Sequence, residues 1–582
     1  MKNRALGTIA SSVVLVACAS GPSAQTDTRS VNAIADVYRA ALLEQQPEIA
    51  YFSGVQLERH DGLSDNSPAA TARWQKDEDG WLKALRAIDA NALEGRSEWI
   101  TLGAMREQLE AAVQLRTCHS ESWQTVNFMG SWHTTFATLA ELQPVDTEEH
   151  RAQALVRWRK VAAYVRQEIP NLRDGLEHKY SAARPVAERM LKQVDGLIDA
   201  ALDENHPYAS PAKRSADAEF KQQFLALLAE QVLPALREYR AFLAEQYVPR
   251  ARTSLAVTTL PDGAACYQAM LRGHTTLNRT PAEVKALGEK VVNANRQEVH
   301  ALGIKLFGSD DMPTVLAQAN KAPDNRFASL EDTLTASREM VQRAEAVMPR
   351  FFGKVPSQHV SVEPIPAYED GAGAYSHYDP PQADGTAGVY RISLLKPGGT
   401  TKSEAEITAF HETWPGHHLQ IAYAQRIRDG HPLLQLMLNA GFVEGWARYA
   451  ENLSEEAGLY HTEYAKLQRR AWPARGMVVD PGIHAFGWTR EQAIAFIMEA
   501  GRDTDQSAAD MVDRIAAIPG QLTAYDSGAQ EFFALRREAE AALGPKFDLI
   551  AFHDALLGTG TIPLPMLRDV MNRWLAAQRA AP

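Results

Sequence analysis

The sequence predicts a mainly helical protein with one small β-sheet. Three observations carry that reading. Long Ala- and Leu-rich stretches repeat their apolar residues at helical spacing, Ser/Thr-x-x-Glu capping boxes mark helix starts, and strand-like alternation is confined to a short region after Val355. With 582 residues, 45% of them apolar and 23% charged, the chain has the composition of a globular protein with a large core. Its 72 acidic and 60 basic residues give a net charge of -12, which argues against nucleic acid as a partner, because phosphate binding draws on clustered Lys and Arg.

The chain opens with an export signal. Lys2 and Arg4 precede a run of apolar and small residues from Leu6 to Ala17, too short to span a bilayer, so residues 1–17 read as a signal peptide. Leu15-Val16-Ala17-Cys18 resembles a bacterial lipobox, which makes Cys18 the acylated first residue of the mature chain and a lipid anchor its one contact with a membrane. An ordinary cleaved signal with an incidental cysteine is the alternative. Ala19 resembles a residue for outer-membrane sorting, with the protein facing the periplasm. Residues 18–30, rich in Ser, Ala, Gly and Thr, read as a flexible tether. Cys118 and Cys266 remain, able to pair in an oxidising compartment or to stay as buried thiols, and no CxxC motif or Cys/His cluster makes cysteine a metal ligand.

Residues 31–345 form the helical region. Its best-marked element starts at Thr280-Pro281-Ala282-Glu283, a capping box with Pro at the first helical position, and continues with Val284, Leu287, Val291 and Leu302 on one stripe. Similar stripes occupy Phe220 to Phe242 and much of 150–200. Residues 346–582 form the catalytic region. Val360 and Val362 alternate with polar residues, Asp370 to Gly388 is a Gly/Pro/Asp-rich loop, and Gly388 to Leu395 reads as a strand closed by Lys396-Pro397-Gly398-Gly399. Ser403-Glu404-Ala405-Glu406 then opens a helix that carries His411 two turns in.

That helix holds the chemistry. Zinc hydrolases place two His on one helix face with a Glu beside the first, so that the metal polarises water and the Glu takes its proton. His411-Glu412 fits the first half, but the position four residues on is Pro415, and the next histidines are His417 and His418. On an ideal helix His418 stands about 20° from His411 in azimuth but ~10 Å along the axis, while His417 stands ~120° away. Pro415 removes a backbone donor and Gly416 is permissive, so the helix is expected to bulge or break and carry His417 to the usual fourth-residue place, with His418 as the rival. A third acidic ligand is expected from Gly441-Phe442-Val443-Glu444-Gly445-Trp446-Ala447-Arg448-Tyr449-Ala450-Glu451, where an acid in an apolar helical stretch needs a partner. Glu444 is the first choice and Glu451 the second; pairing of Glu444 with Arg448 is the plain structural alternative.

Val443 to Glu451 resembles the segment that supplies the third zinc ligand in gluzincin metallopeptidases, which points to Glu444. The lipoprotein start, HETWPGHHLQ, the EGWA segment, Val479 to His484, Gly487 to Ala493 and Pro519-Gly520-Gln521 with Tyr525 and Gly528 together resemble the bacterial domain-of-unknown-function family 885 over roughly residues 35–575. The resemblance implies a two-lobed helical body of the oligopeptidase and carboxypeptidase type with a deep channel, and a sheet beside the active-site helix. It also implies that the strand near Val389 is an edge strand that pairs with substrate backbone.

The expected site is one Zn²⁺ on His411, His417 and Glu444, with His418 and Glu451 as alternative ligands or supports. Glu412 is the expected general base, Tyr525 the oxyanion donor by analogy with gluzincins, and His484 a further donor to substrate; a structural histidine is its plain alternative. Arg490 is placed at a substrate carboxylate, or else in a surface ion pair, and Tyr390 and Tyr449 at substrate, or else in the core. The function that follows is hydrolysis of short peptides. A zinc amidase acting on cell-wall peptides or small amides, and an envelope lipoprotein without catalysis, are the alternatives.

Overall fold

The computed structural model describes residues 24–124, 131–365, 376–381, 386–394, 399–427, 430–437, 439–501 and 505–580. Cys18 and the signal peptide lie outside them, as do most of the loop expected at 370–388 and the strand closure at Lys396-Pro397-Gly398. Helix dominates the described residues, and none of the helices is long and apolar enough to cross a membrane.

The elements that build and brace the site are, in chain order, helices α1 (Ala24–Gln45), α2 (Glu148–Glu177), α3 (Gly263–Thr275), α4 (Pro281–Phe307) and α5 (Leu330–Val347). Strands β1 (Val360–Pro364), β2 (His377–Asp379) and β3 (Gly388–Ile392) follow. Then come α6 (Lys402–Glu412), α7 (His417–Ala424), α8 (Ala440–Glu456), α9 (Arg475–Phe486), α10 (Asp505–Ala517) and α11 (Ala524–Leu543). Helix α1 begins ahead of Val31, inside the expected tether, because no Gly or Pro follows Pro22 to stop it. The capping box of α4 forms as expected, with the Thr280 and Glu283 side chains each bonded to the other's backbone N–H. The start of α6 lies two residues earlier than the sequence signalled: Thr401 Oγ1 accepts from the Glu404 N–H at 3.2 Å, and Ser403 is already helical.

The three strands order β1-β3-β2, with β1 parallel and β2 antiparallel to β3. Two expectations change here. β2 falls inside the stretch taken for a loop, where its three residues are too few for alternation to show. β3 is the central strand, paired on both sides, so it has no free edge to offer a substrate backbone. Val362, Tyr390 and Ile392 turn the buried face of the sheet toward the core around Phe410.

Two large cores hold the fold. One joins Trp158, Phe224 and Tyr239 to Val479, Ile483, Val512 and Ile515. The other gathers Met340, Phe352, Tyr390, Phe410, Trp414, Trp446 and Phe532. The first core therefore draws on both sides of residue 345, so the change of texture read from the sequence there is not a boundary between cores. Trp414 and Trp446 are wholly buried, and truncating either to Ala would cost about 3–5 kcal/mol. Cys118 and Cys266 are buried and joined as a disulfide, which ties the short 3-10 turn Arg116–Cys118 to α3.

Candidate metal centre

The site begins with a break in a helix. α6 ends at Glu412, the chain passes through Thr413 and a cis Trp414–Pro415 peptide, and α7 starts at His417. Proline denies the ladder a donor, and glycine admits the return path: a Cβ on Gly416 would lie 1.9 Å from the carbonyl oxygen of His411. Thr413 Oγ1 bonds back to the Ala409 carbonyl at 2.6 Å, and the Trp446 indole N–H donates to the Pro415 carbonyl at 2.9 Å. The turn is thereby fixed to α8, the helix that carries the acidic residue.

α8 is in turn pressed against α11. A Cβ on Gly528 would stand 1.8 Å from the Gly441 carbonyl oxygen, and one on Gly445 2.6 Å from Gly528, so Gly445 and Gly528 let the two backbones touch. That contact brings Tyr525 on α11 beside Glu444 on α8, and its ring stacks on His411 at 6.2 Å between centroids.

His411, His417 and Glu444 bring ligand atoms within 4.8 Å of one another. His411 Nε2 lies 3.6 Å and His417 Nε2 3.5 Å from the same oxygen, Glu444 Oε2. Both distances are too long for good hydrogen bonds, and Glu444 Oε2 is shut off from solvent with no hydrogen-bond partner among the described residues. The distances lie close to the ~3.3 Å separation that tetrahedral geometry with bonds of ~2.0 Å sets between two ligands of one ion. Two imidazoles and one carboxylate with an orphaned oxygen thus fit a zinc ion, which prefers this mixed donor set.

Glu451 stands behind the centre. It accepts from His411 Nδ1 at 2.9 Å and is held by Arg448 Nη1 at 2.7 and 3.0 Å. Arg448 therefore pairs with Glu451 and leaves Glu444 to the imidazoles. The carboxylate fixes the His411 ring with Nε2 toward Glu444, as an outer partner of a metal ligand does. His417 Nδ1 has no such partner among the described residues. Burial pushes the His411 imidazole down, but Glu444 and Glu451 outweigh it and raise its pKa to about 10. Burial likewise works to raise Glu444, yet the two imidazoles hold it well below the usual carboxylate range. Glu412 ends α6 within the same cluster; burial lifts its pKa, and His417 and His411 offset this only in part.

His418 is not a ligand. Its Nε2 donates to the Gln358 carbonyl at 2.8 Å, which fixes the tautomer, and its Nδ1 accepts from the Tyr378 hydroxyl at 2.8 Å. Beginning a new helix at His417 points these neighbours in different directions, and the choice that spacing left open falls on His417.

Three expected site residues, His484, Arg490 and Tyr449, lie elsewhere, and a fourth, Tyr390, is buried in the sheet near Glu412. His484 is buried, its Nδ1 accepting from the Val257 N–H and its Nε2 donating to the Ile515 carbonyl, both at 3.0 Å. Burial lowers its pKa to about 3. The turn expected at Asp480-Pro481-Gly482 is the middle of α9, whose residues from Arg475 to His484 are all buried; that burial outweighs the hydrogen bond lost at Pro481. Arg490 is an ion-pair partner of Asp513 and also donates to the Ala509 carbonyl at 3.3 Å. Tyr390 is a core residue of β3. Tyr449 is buried with its hydroxyl 2.8 Å from His553 Nε2. Sequence reasoning also missed Arg514, which donates to the Tyr525 hydroxyl, and the part of Gln521, which accepts from that guanidinium; neither carries a motif beyond the Pro519-Gly520-Gln521 turn.

Comparison with known proteins agrees with this fold. The family described as "Bacterial protein of unknown function (DUF885)" matches residues 47–571. A crystal structure from Colwellia psychrerythraea, described as a putative lipoprotein, superposes with a TM-score of 0.85 at 22% identity, covering 95% of this chain and 99% of that one. A structure from Shewanella oneidensis, described as a putative lipoprotein of unknown function, gives a TM-score of 0.71 at 20% identity, covering 93% of this chain and 99% of that one. At these identities the likeness is one of fold. No curated protein matches the chain.

Proposed function

The chain belongs to the DUF885 family of bacterial proteins of unknown function, and from its His/His/Glu centre we propose that it is a zinc-dependent peptidase acting on short peptides. The observation that carries the reading is Glu444 Oε2, buried between two imidazole nitrogens with no hydrogen-bond partner among the described residues, and with Glu412 in the same cluster. Plain structural ion pairs would close to hydrogen-bonding distance, and a binding protein has no need of a buried base beside such a centre.

His411, His417 and Glu444 would hold the ion, which when bound supplies Lewis acidity, polarising a carbonyl and acidifying water. Glu412 then takes a proton from the attacking water and delivers it to the amide nitrogen as the C–N bond breaks. Its place at the end of α6, buried next to His411, suits it to that exchange. Tyr525 donates its hydroxyl proton in a hydrogen bond to the carbonyl oxygen as negative charge develops there. Glu451 and Arg448 keep the His411 ring in register. Side-chain exposures of 11% for His411 and 18% for Glu444 make this a recessed site, which favours extended short chains over folded proteins.

An exported, lipid-anchored location is part of the proposal. Cys18 in its lipobox-like setting, the Cys118–Cys266 disulfide and the two structural neighbours described as lipoproteins all support it.

The test is incubation of the purified, zinc-loaded protein with a mixed library of short peptides, read by mass spectrometry beside Glu412→Gln, with cell-wall peptides as a second substrate arm. Cleavage of library peptides by the parent alone is the expected result. Cleavage confined to the cell-wall arm would move the assignment to an amidase, and identical profiles from parent and variant would remove catalysis at this centre.

A further inference from the structure

The Tyr525 hydroxyl is surrounded in a way that the proposed reaction does not by itself require. A phenol oxygen has two acceptor positions and one proton to give. Arg514 Nη2 donates to the Tyr525 oxygen at 3.2 Å and to Gln521 Oε1 at 2.8 Å. Gln521 accepts from the same guanidinium nitrogen and so holds it beside the phenol. One acceptor position of the oxygen is thus served from α10, by a guanidinium steadied from the turn before α11.

What remains is the phenol's own proton, for which the described residues show no acceptor. The ring that carries it lies against His411 on one side, with the Arg448 guanidinium 5.6 Å from its centroid. The ring is therefore held in place by contacts that do not involve the hydroxyl, and rotation of the O–H is the freedom left. A donor aimed at the oxygen narrows that freedom, because the proton cannot point back at it.

We propose that Arg514 is a positioning residue: held in place by Gln521, it donates to the Tyr525 oxygen and turns the phenol proton away from itself into the cleft, toward the carbonyl oxygen of a bound amide. This rests on the hydrolase reading and deepens it, since it makes the oxyanion donor a preorganised one. A proton already aimed needs no reorganisation as charge develops, and the positive guanidinium makes the hydroxyl a stronger donor.

The test is a double-mutant cycle of Arg514→Gln and Tyr525→Phe, with Arg514→Lys as the conservative control. Two readouts are taken: kcat on a cleaved library peptide, and affinity for a phosphinic peptide, whose tetrahedral phosphinate imitates the oxyanion, by calorimetry. Tyr525→Phe should lower kcat roughly 100-fold and Arg514→Gln about 10-fold, with zinc content and melting temperature close to the parent's. In the Tyr525→Phe background Arg514→Gln should cost nothing more in either readout, and Arg514→Lys should restore part of the loss. Equal losses from Arg514→Gln in both backgrounds, or phosphinate affinity that Tyr525→Phe weakens and Arg514→Gln leaves intact, would overturn the inference. A parent that binds neither zinc nor the phosphinic peptide would bring down the hydrolase reading and this inference with it. A parent that binds both, with uncoupled variants, would overturn this inference alone.

Discussion

Two buried histidine clusters in this molecule are built to opposite rules. Around His484, both ring nitrogens meet backbone groups, and the neighbouring Asp480 accepts from the Tyr267 hydroxyl at 2.6 Å and from the Gly520 N–H at 3.0 Å. Around His411 and His417, the inward ring nitrogens face a carboxylate oxygen that reaches neither, and only the outer Nδ1 of His411 is engaged. The first cluster satisfies its own donors and acceptors, whereas the second leaves Glu444 Oε2 and His417 Nδ1 without a hydrogen-bond partner among the described residues. Burial and residue type are alike in both, so what separates a structural histidine from a ligand is the balance of donors and acceptors.

The strongest way to sharpen that contrast is to remove the base and leave the centre intact. Glu412→Gln should retain zinc and lose roughly 100-fold or more in peptide turnover. Turnover at the parental rate would take Glu412 out of the mechanism.

A second prediction concerns the one outer partner the open cluster has. Glu451→Gln leaves His411 without an ionic acceptor and should weaken zinc binding roughly 10- to 100-fold in competition with a chelator. Parental affinity would mean that Glu451 serves only Arg448.

The third asks whether helix contact sets the geometry. Gly528→Ala places a methyl against the Gly441 carbonyl, so α8 and α11 must part. We expect about 1–3 kcal/mol of destabilisation together with weaker zinc binding, measured by thermal melting and metal titration. A loss of stability with unchanged zinc affinity would uncouple Glu444 from the α8–α11 contact.

The smallest effect is expected in the closed cluster. His484 titrates at about 3 in the folded protein against an ordinary 6.5, so between those values the unfolded chain binds the extra proton. Stability from this residue is fully present above pH 6.5 and is lost progressively as the pH falls from there toward the folded pKa. In chelated protein His484→Gln should therefore show a shallower drop in melting temperature from pH 6.5 to 4 than the parent, with zinc binding at neutral pH unaltered. Equal slopes would deny His484 its buried neutral state.

Much of this was legible in the sequence, and the limits were physical ones. The helical class and the sheet near Val360 and Val389 are written in periodicity, the His411-Glu412 pair in its motif, and Glu444 over Glu451 in the resemblance to gluzincins. The choice between His417 and His418 is not, because it depends on the path through Pro415 and Gly416, which ideal helical geometry does not describe. His484 and Arg490 were read as functional because a lone sequence does not show that Val257, Ile515 and Asp513 reach them. The central place of β3 depends on β2, three residues inside an apparent loop. Arg514 left no trace at all, since an arginine on an amphipathic helix looks like any solvated one until α10 is packed beside α11.

The measurement that bears most directly on the open cluster is metal content by mass spectrometry in the parent, His411→Ala and Glu444→Ala proteins, purified identically and confirmed folded by circular dichroism. One zinc per chain in the parent and none in either variant is the predicted result. A folded parent that takes up no zinc, or stoichiometric zinc that survives both substitutions, would contradict it.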